Sequence, residues 1–239
     1  MRAVKITLGK NAGPTDPARL ESLAATWGLS AVDRADLAPD DVALVVGRDG
    51  LRLVHGGVYR RWHPGMLHTL READCAHPWI RLSGLQRGES VFDGTLGLGT
   101  DATFLAEWTG RRVIGCEVVP VLALLASEGL AGVDVEVRCG DSLDVLRAMP
   151  DRSVDLVIAD PMFQQVDDDA SASLDLVRWV ADPKPIDRAW VDQALRVARR
   201  AVVLKDRARG GLLERLGAPV IHDKTRRAAR YGAWPIRGS

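Results

Sequence analysis

From Glu89 onward the chain sets short β-rich runs against helical stretches in strict turn. "SVFDG", "RRVIGCE", "VDVEVRC", "SVDLVIAD" and "RAVVLKD" alternate with helical stretches such as "DATFLAEWTG", "VLALLASEGL" and "IDRAWVDQALRVARR". No other feature limits the fold as much. Strands separated by about ten to fifteen helical residues cannot join as hairpins, so they form βαβ crossovers and a parallel sheet with both faces covered. The rhythm therefore predicts an α/β, Rossmann-like, doubly wound and mostly parallel sheet over residues 81–239.

Residues 1–80 follow a different pattern and read as a small N-terminal α+β subdomain. An alternating strand "VKITLG" leads to a helix opened by Pro17 ("PARLESLAATWGL"), then to "DVALVVG", the turn "RDG" and "LRLVHGG". Asp-Gly between two strand-like runs predicts a hairpin. At 239 residues the chain has room for one main domain with this appendage. No apolar run approaches the roughly 18 residues that a membrane span needs, and the start lacks a secretory hydrophobic stretch, so the expected location is cytoplasmic. Cys75, Cys116 and Cys139 are odd in number and widely spaced, which suits core thiols better than a disulfide framework or a zinc site.

The stretch "VFDGTLGLGTDATFLA" leaves the first strand of the main sheet and enters its first helix. Gly97 and Gly99 allow a sharp turn and a close backbone approach to a ligand, and the amides of a helix start favour a polar or anionic group. The next strand ends at Glu117, where a carboxylate can accept both hydroxyls of a ribose. Two cofactors fit. A nicotinamide dinucleotide would read "GLGTDA" as a degenerate form of its glycine fingerprint. S-adenosylmethionine carries no phosphate and would want an acid ahead of the glycines, which is Asp93, and an acceptor for its adenine amine after the third strand, which "RCGDS" supplies as Asp141. The methyl donor fits better. The plainer alternative is that Asp93 and Asp141 cap the segments that follow them.

"IADPMF" ends the fourth strand, at the edge where ligands bind in an open α/β sheet. Asp160 and the carbonyl of Pro161 could accept the hydrogens of an exocyclic amine and orient its lone pair for attack on a methyl group. Pro161 also stiffens the chain, and Phe163 offers a π face for a base. A turn-forming Asp-Pro with Met162 and Phe163 in the core is the alternative.

Taken together, "DGTLGLGTDA", "ADPMF" and "RVARRAVVLKDRA" resemble the class I S-adenosylmethionine-dependent methyltransferases of the RsmJ type, which modify guanine N2 in small-subunit ribosomal RNA. They also resemble the related uncharacterised YpiP-like proteins, which share an H-P-x-M segment, here "WHPGM", and an ending like "RYGAW". The resemblance spans roughly residues 60–235. It implies S-adenosylmethionine as cofactor, RNA as partner, and no metal. It assigns cofactor binding to Asp93, Gly97, Gly99, Asp101, Glu117 and Asp141. Catalysis falls to Asp160, Pro161, Met162 and Phe163, and substrate contact to His63 and Lys205. One departure is plain: the RsmJ pattern is strongly basic after its D-P-M motif, whereas this chain has "QQVDDDAS". That tilts the reading toward the uncharacterised group.

Charge is unevenly spread although 32 basic residues balance 32 acidic ones. The last 44 residues carry twelve bases and three acids, a surplus suited to phosphates. Arg60 and Arg61 beside Tyr59 and Trp62 could also serve RNA. His63, His68, Cys75 and His77 are too irregularly spaced for a zinc site. The expected activity is an N-methyltransferase acting on a base in RNA. The alternatives are methylation of a small molecule or a protein side chain, a nicotinamide-dependent oxidoreductase, and a cofactor-binding regulator without turnover.

Overall fold

The structure is a computed structural model, and it describes residues 4–63, 65, 67–161, 177, 180–181, 184–222 and 229–236. Two sheets share one helix between them. The N-terminal sheet contains β1 (Val4–Leu8), β2 (Ser30–Ala31), β3 (Val42–Gly47), β4 (Gly50–His55) and β5 (Val58–Arg60), in the order β2-β1-β3-β4-β5. The helix opened by Pro17 is α1 (Asp16–Trp27). The Asp-Gly hairpin forms as the sequence predicts, with Gly47 opposite Gly50 across an antiparallel pair.

The main sheet contains β6 (Val91–Asp93), β7 (Val113–Glu117), β8 (Val135–Cys139), β9 (Val154–Ala159), β10 (Ala198–Asp206), β11 (Val220–His222) and β12 (Arg230–Pro235). Their spatial order is β11-β12-β10-β9-β6-β7-β8. Strands β8, β7, β6, β9 and β10 run parallel, and β12 runs antiparallel to β10 and β11. The chain steps outward from β6 to β8, then returns to the other side of β6 for β9 and β10. The order therefore reverses between β6 and β9, and the crevice beyond their carboxyl ends is the expected ligand site.

Six helices between or beside these strands cover the faces: α2 (Leu67–Ala73), α3 (Pro78–Ser83), α4 (Thr100–Thr109), α5 (Pro120–Gly129), α6 (Ser142–Ala148) and α7 (Arg188–Val197). A short α8 (Leu212–Arg215) follows β10. On one face Leu146, Trp190, Val191 and Ala194 pack over Phe92, Val157 and Val202, and on the other Trp79, Phe104 and Leu105 pack over Val91, Ile158 and Val203. The "VLALLA" run of α5 has no polar stripe, which marks a helix buried all round. Its Ala126 joins the core of the main sheet, while Leu122, Leu124 and Leu125 pack with Ile6, Leu44 and Leu53 of the N-terminal sheet.

One boundary differs from the sequence expectation. The helical pattern "IDRAWVDQALRVARR" stops at Val197, and Ala198 to Arg200 already belong to β10. Ala198 pairs with Val154, and the register shifts before Ala201. Sheet pairing thus overrides helix propensity over the last turn. Among the described residues, no helix is long and apolar enough to cross a membrane.

Candidate active site

Four acids stand at or just beyond the carboxyl ends of four parallel strands: Asp93 on β6, Glu117 on β7, Asp141 after β8 and Asp160 after β9. Parallel pairing brings these ends to a common edge. Asp93 lies opposite Gly115 and Ile158, and Glu117 lies opposite Cys139.

Asp93 is almost fully buried, and its Oδ1 accepts the Thr95 amide at 3.0 Å. It does not cap a helix, since the N-cap of α4 is Gly99. Burial pushes its carboxyl well above the usual range, the Thr95 amide opposes this, and the nearby charges of Asp101, Asp160 and Glu117 add to the rise.

Glu117 stitches two segments together. Its Oε2 accepts the Gly97 amide at 2.9 Å and its Oε1 accepts the Val119 amide at 2.8 Å. A carboxylate has about four acceptor sites, and these two amides occupy one on each oxygen. Asp141 caps α6 by accepting the Leu143 amide at 2.8 Å, as the plainer reading of "RCGDS" expects. Its other oxygen takes the ammonium of Lys184 at 2.5 Å. That contact lowers the Asp141 carboxyl and raises Lys184.

The glycines divide their roles. Gly97 lines the pocket at φ 54°, and a Cβ there would meet only Thr95 O at 4.0 Å, so the space above it is open. Gly99, at φ 81°, starts α4, and a Cβ there would strike Leu130 Cδ1 at 2.6 Å, so helix packing as well as backbone conformation demands glycine. Apolar walls come from Val118, Leu122, Leu143, Ile186 and Trp190. The slot thus combines apolar walls and an open glycine floor with the carboxylates of Glu117 and Asp141.

Just after β9, the Asp160 amide donates to Thr95 Oγ1 at 2.6 Å, and Asp160 Oδ2 accepts Lys205 Nζ at 2.6 Å. Burial pushes the Asp160 carboxyl up and Lys205 opposes it. Burial also works against the charge on Lys205, yet Asp160 and Asp101 together hold that ammonium above the usual lysine range. Asp101 accepts Trp79 Nε1 at 3.0 Å and acts by charge on the Asp160 side of the site. Pro161 lines the pocket. Met162 and Phe163 lie outside the described residues, as does the acidic run 167–169.

Trp62 of the "WHPGM" segment contacts the glycine turn. Trp62 Nε1 donates to Leu98 O at 2.8 Å, and its indole occupies the space that a Cβ on Gly129 would need. His63 is exposed, and its Nδ1 accepts the Gly65 amide at 3.0 Å. His68 pairs with Glu72, and His77 caps α3 by accepting the Trp79 amide. Among the described residues, no group of three His, Cys, Asp or Glu side chains could hold a metal ion.

Several contributors were missed by sequence reasoning. Thr95 bridges to Asp160, Lys184 reaches Asp141, and Trp190 walls the pocket while donating to Ser142 Oγ at 2.9 Å. Thr95 sits inside the glycine stretch and could have been singled out there. Trp190 and Lys184 carry no local signal.

No protein-family profile matches the chain. The uncharacterised protein YpiP of Bacillus subtilis is 32% identical over 162 residues, covering 62% of this chain and 63% of that one, so the match spans just under two thirds of that relative. Ribosomal RNA small subunit methyltransferase J of Laribacter hongkongensis is 31% identical over 219 residues, covering 82% of this chain and 76% of that one. A solved SAM-dependent methyltransferase of Neisseria gonorrhoeae superposes with a TM-score of 0.69 over 98% of this chain and 97% of that one, at 17% identity, and shows the same fold.

Proposed function

We propose that this chain, which belongs to the ribosomal RNA small subunit methyltransferase J family, is an S-adenosylmethionine-dependent methyltransferase that modifies an exocyclic amine of a base in RNA. One observation carries the reading. Pro161, next to Asp160 at the end of β9, lines the same pocket as Gly97, Glu117 and Asp141. Cofactor and target would therefore meet at the switch point of the sheet.

When bound, S-adenosylmethionine supplies an electrophilic methyl group on a sulfonium. Asp93 would face its positively charged end, Glu117 its ribose hydroxyls and Asp141 its adenine amine. The remaining work falls to the chain itself. An exocyclic amine is a weak nucleophile because its lone pair is delocalised into the ring. Asp160 Oδ1, which accepts no hydrogen bond from the described residues, and the Pro161 carbonyl would accept the two amine hydrogens and fix the direction of the lone pair. As the nitrogen gains carbon it sheds a proton, which the Asp160 carboxylate takes. Lys205 favours the ionised form that this role requires. Trp62 is tied to the glycine turn through Leu98 O, which supports placing its neighbour His63 near the rim where the target would enter.

The test is transfer of labelled methyl from S-adenosylmethionine to fractionated cellular RNA, followed by nucleoside analysis. A labelled N-methyl base is the expected product. Label found only in small molecules or protein would overturn the RNA reading and keep the methyltransferase.

A further inference from the structure

Among the described residues, Asp206 is the buried acid at the carboxyl edge of β9 and β10 that the proposed reaction leaves unused. It is 1% exposed at the end of β10, and its charge is spent on a loop. Its Oδ1 accepts the Arg207 amide at 2.8 Å and its Oδ2 accepts the Leu212 amide at 3.0 Å. Gly210 passes so close that a Cβ there would lie 1.8 Å from Oδ1. The Gly210 amide donates to Arg207 O at 2.9 Å, and Arg230 Nη1 donates to Gly210 O at 2.7 Å. Five residues, 207–211, are thereby wrapped around one carboxylate.

What the loop displays is positive charge. Arg207 and Arg209 are both exposed, and neither makes an ion pair with the described residues. Two other cations near this edge, among the described residues, are engaged: Lys205 by Asp160 and Arg230 by Glu214. The loop is also well placed. Arg207 follows Lys205 by two residues, about 7 Å of extended chain, and Lys205 is 2.6 Å from Asp160. A rigid loop carrying two uncommitted guanidiniums beside the target acid suits the phosphodiester backbone of a nucleic acid, since a guanidinium binds phosphate in a bidentate fork.

We propose that residues 207–211 form a phosphate clamp, in which Arg207 and Arg209 grip the RNA backbone next to the target base while Asp206 holds the loop in shape. The inference rests on the reading of the acceptor as RNA. It adds where the strand is held. Base contacts at Asp160 would select the amine, and the clamp would supply affinity and register without reading sequence.

The experiment compares the full chain with Arg207→Ala/Arg209→Ala and with the charge-matched control Arg111→Ala/Arg112→Ala, which lies before β7 at the opposite edge of the sheet. Binding of end-labelled small-subunit ribosomal RNA is followed over a salt series, and S-adenosylmethionine affinity serves as the folding check. Two lost phosphate contacts should make the slope of log K against log salt shallower by about 1.4 for single-stranded RNA. The control should keep the parental slope, and Arg207→Lys/Arg209→Lys should restore most of it. A parental slope in the double alanine variant, or an equal change in the control, overturns the clamp while leaving the RNA reading intact. A parent that neither binds nor methylates RNA overturns both.

Discussion

The ammonium of Lys205 lies 2.6 Å from Oδ2 of Asp160, binding the tip of β9 to the neighbouring strand at the point where the target amine would arrive. The resemblance assigned Lys205 to substrate contact. Its place in the structure gives it the Asp160 carboxylate as a partner, through which it would act on a target amine.

Replacing Lys205 should therefore change the pH profile of transfer as well as its size. Burial favours the neutral form of Asp160, Lys205 favours the ionised form, and Asp101 adds to the rise. Asp93 and Glu117 add negative charge from β6 and β7, and Tyr231 faces Lys205 from β12. Lys205→Met removes the only cation among these groups, so the Asp160 carboxyl should rise. If the ionised acid is the proton acceptor, the acidic limb of single-turnover transfer shifts to higher pH. Lys205→Arg should shift it back. An unmoved limb in Lys205→Met would remove Asp160 from the proton step.

Asp93→Asn should stabilise the cofactor-free protein while weakening cofactor binding. The folded carboxyl is raised above its unfolded value of about 3.9. An acid raised in this way contributes stability that is fully present below the unfolded value and is lost as pH climbs through the folded one. Asparagine keeps an acceptor for the Thr95 amide and has nothing to ionise. The Tm of the variant should match the parent near pH 4 and exceed it at neutral pH, where calorimetry reads the difference. Equal Tm at both values would mean that Asp93 is not strained.

Glu117→Ala should weaken S-adenosylmethionine binding for two separable reasons. Ribose contacts to a charged acceptor are worth about 1.5 to 3 kcal/mol each, partly offset by water. The same carboxylate also holds the Gly97 and Val119 amides, so its loss frees the glycine turn. Glu117→Gln keeps one acceptor oxygen and should fall between. Isothermal titration orders the three, and parental affinity in the alanine variant would take Glu117 out of the site.

Much of this site was legible because a parallel sheet converts sequence order into position. Each of Asp93, Glu117, Asp141 and Asp160 ends or follows a strand, and parallel strands end at one edge, so four acids spread over 68 positions could be grouped without coordinates. Contacts made across the fold were not legible. A Cβ on Gly94 would lie 2.5 Å from Trp190 Cζ2, a constraint between residues far apart in sequence that no local pattern encodes. Nor did any local pattern show that a Cβ on Gly99 would strike Leu130. Propensity also failed at "ARR", where pairing with β9 took residues that the helical period claimed.

Asp160 and Thr95 together provide the sharpest test of the active-site reading. Asp160→Ala should abolish transfer and spare cofactor affinity, since positioning and electrostatic effects of this kind contribute on the order of 100-fold or more. Asp160→Asn should be milder, because an amide oxygen still accepts one amine hydrogen. Thr95 touches no amine in this account. Its hydroxyl receives the Asp160 amide at 2.6 Å and sets where the carboxylate stands. Thr95→Val removes that acceptor at nearly constant shape and leaves the amide unpaired, so single-turnover transfer should drop about tenfold or more with modest change in cofactor affinity. Thr95→Ser restores the hydroxyl and should restore the rate. The measurement is single-turnover transfer with cofactor affinity determined in parallel for all four variants. Parental transfer in Asp160→Ala would reduce the Asp-Pro segment to a strand cap, and a slow Thr95→Ser would show that the threonine methyl, not its hydroxyl, is what the site needs.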